Sequence, residues 1–159
     1  METAIELLKT VIGNEVAVSS FYSVASELVK DGEVQMVFLE LSGMEDSYAQ
    51  KIVDKFKDAP CSKGFDPQEY LANLPEDVYT ADIGTSKILK NSTVRQVLEM
   101  AISHEKTSKD SYDQLEKIAI DPEMKTVCRE LSKTEEQHIL QLTELINSLD
   151  MDPDERPPL

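Results

Sequence analysis

IELLKTVIGNEVAVSSFY, residues 5–22, and RQVLEMAISHEKTSKDSY, residues 95–112, are the two stretches on which the fold turns. They align without a gap at an offset of 90 residues, which brings Leu8 onto Leu98, Ile12 onto Ile102, Glu15 onto Glu105 and Tyr22 onto Tyr112. The register continues outward over residues 5–57 and 95–147. Asp31 and Glu33 meet Asp121 and Glu123, and Val37 meets Val127. Glu40, Leu41 and Ser42 meet Glu130, Leu131 and Ser132, and Glu45 meets Glu135. The result is about a dozen identities, where average residue usage gives roughly three in 53 pairs. Two copies are too few for a solenoid, which needs at least three. Two copies of a helical hairpin make a four-helix bundle.

The helices follow from the spacing of apolar residues. The first carries Leu8, Val11, Ile12, Val18, Phe21, Tyr22, Ala25 and Leu28, and is expected to stop near Asp31-Gly32, with the glycine as terminator. The second runs over about 33–56, with Met36, Val37, Phe38, Leu41, Met44, Tyr48, Ile52 and Phe56. The third starts near Ser92-Thr93, a natural N-cap, and carries Val94, Val97, Leu98, Ala101, Ile102, Leu115 and Ile118. The fourth follows Asp121-Pro122, an N-cap with proline in the first helical position. Its stripe is Met124, Val127, Cys128, Leu131, Ile139, Leu142, Leu145 and Ile146.

Both hairpin turns are short, so the paired helices are antiparallel. The layout is one domain over 1–149: hairpin 1 at about 2–57, a crossover at about 58–91 and hairpin 2 at about 92–149. The crossover holds Pro60, Gly64, Pro67, Pro75 and Gly84, with a small helix expected over 67–74. Such a connection can run the length of a bundle, as a one-crossover topology requires. The acidic, proline-rich tail at 150–159 is expected to be disordered.

The net charge of −15 argues against a nucleic-acid partner, which needs clustered Lys and Arg, and against an anionic membrane surface. No apolar run is long enough for a transmembrane helix. The N-terminus reads as amphipathic helix rather than a secretory signal, so the expected location is cytoplasmic. Cys61, in a loop, and Cys128, on an apolar face, suit free thiols rather than a disulfide framework.

Acidity acquires a second meaning once the carboxylates are placed. Glu15 shares a helix face with Ile12 and Tyr22, and Glu105 with Ile102 and Tyr112. Glu45 lies four after Leu41 and three before Tyr48; Glu135 lies four after Leu131 and three before His138. Each helix thus points one glutamate into its apolar stripe. A buried carboxylate without a partner costs several kcal/mol or neutralises itself. Cations between the four remove that cost. A two-metal carboxylate site takes one Glu from each of two helices and Glu-x-x-His from each of the other two. Glu15, Glu105 and Glu135-x-x-His138 match it. At Glu45-x-x-Tyr48 a tyrosine stands for the histidine. Glu40 and Glu130 fall off this face, and His104 is about 100° from Glu105 around the helix, outside the site.

On these residues the chain resembles the rubrerythrins and their ferritin-like relatives, over both hairpins. The resemblance implies a ferritin-like antiparallel bundle with two iron ions, held by Glu15, Glu45, Glu105, Glu135 and His138. It implies that Glu45 and Glu135 bridge the metals, while Tyr22 and Tyr112 hydrogen-bond near the ligands. It further implies a non-haem di-iron oxidoreductase acting with peroxide or oxygen. The four-cysteine electron-delivering domain of full-length rubrerythrins has no match here, so a separate electron donor protein is expected. Tyr48 is either a weak ligand or a space-filler. Manganese and zinc suit the same donors. The alternatives are an iron-handling ferroxidase and a ferritin-like binding bundle with a degraded site. A homodimer is expected from exposed apolar positions.

Overall fold

In the computed structural model, residues 3–75, 78 and 83–150 are described, and no strand occurs among them. Four long helices carry the bundle: α1 (Ala4–Leu28), α2 (Gly32–Phe56), α5 (Val94–Ile118) and α6 (Pro122–Ser148). Among the described residues of the crossover lie two short ones, α3 (Pro67–Ala72) and α4 (Ile83–Lys90), together with a 3-10 turn at Pro60–Ser62. The expected small helix is therefore shorter than 67–74, and α4 is additional to it.

The duplication is reproduced at the helix ends. α1 and α5 begin and end 90 residues apart, and so do the starts of α2 and α6. Thr3 and Thr93 both close reciprocal capping boxes, with Glu6 and Gln96 three residues on. Asp31 and Asp121 both accept backbone N–H bonds from the first turn that follows. The expected glycine stop after α1 is not what forms. Val29 leaves the helix in extended conformation, and Gly32 opens α2 behind the Asp31 cap. Among the described residues only Gly64 has positive φ, so Gly32 has no left-handed role.

Packing is most extensive within the hairpins, α1 on α2 and α5 on α6. Between hairpins, α1 meets α5 and α2 meets α6. The crossover lies over this frame, with Lys9 Nζ held 5.4 Å from the Phe65 ring centroid and 5.8 Å from that of Tyr70.

The apolar core is split in two. One cluster gathers Leu8, Ile12, Ile52, Phe56, Tyr112 and Leu131. The other gathers Tyr22, Phe38, Leu41, Leu98, Ala101 and Leu142. Glu15, Glu45, Glu105 and Glu135 each fall in sequence between residues of the two clusters, so a polar layer crosses the bundle at mid-height. Three residues counted in the apolar stripes lie outside the core: Met36 (68% exposed), Met44 and Ile118. The 90-residue counterparts of the first two are Thr126 and Thr134, which mark those positions as outward-facing.

Among the described residues no helix is long and apolar enough to cross a membrane. Cys128 is buried, Cys61 is half-buried in the 3-10 turn, and both are free thiols. Of the 150–159 tail only Asp150 is described, and it pairs with Arg95 at 2.8 Å; residues 151–159 lie outside the described residues.

Candidate metal centre

The polar layer is built by one residue register on each long helix. Glu15, Glu45, Glu105, Glu135 and His138 are all buried, none more than 2% exposed. Glu45, Glu105, Glu135 and His138 each offer a donor atom within 4.8 Å of the others. His138 Nδ1 lies 3.0 Å from Glu45 Oε1, 3.4 Å from Glu105 Oε1 and 3.5 Å from Glu135 Oε2. None of these three oxygens is placed to accept an in-line N–H bond, because both His138 nitrogens are without a hydrogen-bond partner. The donors instead crowd toward one another.

The tyrosines act across the hairpins. The Tyr22 hydroxyl, on α1, donates to Glu105 on α5, and the Tyr112 hydroxyl, on α5, donates to Glu15 on α1. Both rings are fully buried, and Phe38 backs Tyr22 at 5.5 Å between ring centroids. Each bond fixes one carboxylate oxygen and leaves the other, Glu15 Oε2 or Glu105 Oε2, unpartnered.

The protonation state of this layer follows from crowding. Burial, then the nearby Glu15, pushes Glu45 up to about 11. Burial, with Glu105 and Glu15 alongside, pushes Glu135 up to about 9. Burial also raises Glu15. Glu105 moves the other way: burial opposes its charge, but the His138 imidazole close by, Glu135 and the Tyr22 hydroxyl together outweigh that and lower it. His138 would be lowered by burial, yet Glu105, Glu135 and Glu45 push it up to about 12. Without metal, Glu105 therefore stays a carboxylate beside an imidazolium, while Glu45 and Glu135 hold protons.

The donor set fits divalent metal ions. Both Glu45 oxygens, one oxygen each of Glu15, Glu105 and Glu135, and both His138 nitrogens are buried and unpartnered. Natural proteins leave few such atoms, and each calls for an explanation. Carboxylate oxygen and imidazole nitrogen are what first-row divalent ions take up.

Tyr48 is not drawn into this group. It is half-buried, its ring centroid 6.4 Å from that of His138, with Lys51 Nζ 5.3 Å above the ring. Its ring lines a cleft between α2 and α6. Glu40 and Glu130 are exposed, and His104 lies against Phe21 at 4.5 Å, away from the layer. Lys51 and Lys55, which border the same cleft, are absent from the ligand pattern. Their counterparts Gln141 and Leu145 carry no charge, and that asymmetry is the signal the sequence holds for them.

A buried cluster of carboxylates and one imidazole inside a helical bundle is compatible with a di-iron centre. The chain belongs to the rubrerythrin family, whose profile, described as Rubrerythrin, matches residues 6–146. Comparisons with curated proteins and with solved structures returned no match.

Proposed function

We propose that this chain is a non-haem di-iron protein of ferritin-like four-helix topology, an oxidoreductase acting with peroxide or oxygen. Glu15, Glu45, Glu105, Glu135 and His138 would hold the two ions. The observation that carries this is the set of buried, unpartnered donor atoms on all four long helices. What a bound iron pair supplies is two-electron chemistry with an oxidant. The chain's own residues do the rest. Tyr22 and Tyr112 orient Glu105 and Glu15, the two apolar clusters keep water from the layer, and Glu45 and Glu135 give up their protons as metal enters.

Anaerobic loading with ferrous iron, followed by metal analysis, should give about two irons per chain, with near-UV absorption after oxidation. The double variant Glu135→Ala, His138→Ala should bind none. Equal iron in the two proteins would end this reading. Tyr48, in place of a second ligand histidine, favours the rival view of a degraded site. In that case added ferrous iron leaves the melting midpoint unchanged, whereas a ligand that binds the native state raises it.

The same reading includes a separate electron donor protein and a homodimer. The dimer is supported by Met36 and Leu39, 68% and 56% exposed on α2, whose α6 counterparts are Thr126 and Arg129. Sedimentation equilibrium should give twice the chain mass, and Met36→Thr, Leu39→Arg should give the monomer.

A further inference from the structure

We infer that the cleft between α2 and α6 binds a small amphipathic carboxylate, the chemical class to which acid-bearing organic hydroperoxides belong. The inference deepens the metal-site reading, and its claim that such a ligand is the substrate rests on that reading.

The cleft offers about 260 Å³. Its walls are the Tyr48 ring and the buried side chains of Ile52, Val127 and Leu131, and Lys51 and Lys55 stand at its rim. Small-molecule sites have this make-up: mostly apolar walls and a few polar groups that set orientation. Neither lysine has a carboxylate within ion-pair reach among the described residues, although acidic residues outnumber basic ones 31 to 16 in the chain. The two amines lie one helical turn apart on one face of α2, with Lys51 Nζ over the Tyr48 ring. Glu130 also borders the cleft, and it stands on the opposite helix. A locally positive rim above apolar walls selects an anion with an apolar body over a cation or a polar solute.

Position gives the cleft a use. Tyr48 is shared by the cleft and the flank of the metal layer, where its ring faces His138 at 6.4 Å. The histidine of the family pattern would reach inward at this position. The tyrosine stands between the cleft and His138, so a molecule held in the cleft would lie beside the wall nearest His138.

The test uses octanoate and the metal-free 159-residue chain with carbon-13-labelled methyl groups. Octanoate should shift the methyl resonances of Ile52, Val127 and Leu131 saturably, and octylammonium should not. Lys51→Glu, Lys55→Glu, at two exposed side chains, should weaken octanoate binding at least tenfold. Absence of saturable shifts, equal affinity in the double variant or equally tight octylammonium binding would each overturn the inference. Octanoate shifts in a chain that takes up no iron would remove the metal reading alone, and iron uptake without octanoate shifts would remove the cleft alone.

Discussion

The metal-free protein should lose thermal stability as pH rises from about 6 to about 9, and Glu45→Gln, Glu135→Gln should flatten that decline. A glutamate in the unfolded chain titrates at about 4.3. In the folded chain Glu45 is pushed up to about 11 and Glu135 to about 9. Between those limits the native state holds a proton that the unfolded state has released. The stabilising effect of each group is complete below its unfolded value and drains away as pH climbs toward the folded one. His138, raised to about 12, acts in the same sense above about 6.5. Glu105 has the opposite sign, but its lowered value confines its effect to acid conditions outside this range. Each group costs up to about 1.4 kcal/mol per pH unit inside its window. Ordinary surface carboxylates finish titrating below about pH 6, so their repulsion is constant across the comparison. Melting curves at stepped pH measure the slope. A slope that is the same in the double glutamine variant would mean that the buried pair is not its source.

Phe38→Ala should cost about 3–5 kcal/mol, and Cys128→Ala, at the counterpart position in the duplicated half, about 1 kcal/mol or less. Both side chains are fully buried. They differ in what is removed: a whole ring in one case, a single sulfur atom in the other. Phe38 also backs Tyr22, so its loss leaves space beside the ring that holds Glu105. For a chain of this size the Phe38 change corresponds to a drop of roughly 10 °C in melting midpoint. Calorimetry on the two variants gives both numbers. Similar losses would show that the two halves of the core are equally packed around their tyrosines, and would deny Phe38 its special part in holding Tyr22.

The bundle is legible in the sequence because the duplication gives every position a second copy. Helix starts, caps and turns recur at the same offset in the folded chain, and Thr3 with Thr93 or Asp31 with Asp121 say the same thing twice. Where one copy is read alone, the reading drifts. Gly32 suggests a terminator, yet its counterpart is Pro122, a first-turn residue, and both open a helix. Met36 and Met44 look like core until Thr126 and Thr134 are set beside them. The crossover has no second copy, and α4 is short, follows a stretch with Pro75 and carries Gly84 in its first turn, so no periodicity separates it from loop. The buried layer is legible from register, and within it Glu45, Glu105, Glu135 and His138 are the residues whose donor atoms come together. The fate of Tyr48 is not: spacing puts it next to Glu45, but only packing shows its ring against the α2–α6 cleft rather than among the carboxylates.

The crossed tyrosine bonds, Tyr22 to Glu105 and Tyr112 to Glu15, also set an order of events in folding. Each hairpin closes through contacts between neighbours in the chain, which form quickly because little loop entropy opposes them. Neither hairpin holds both partners of either bond. The two tyrosine bonds are therefore made only where the hairpins meet, across sequence separations of 83 and 97 residues. Tyr22→Phe and Tyr112→Phe should consequently speed unfolding far more than they slow folding, the signature of contacts made after the rate-limiting barrier.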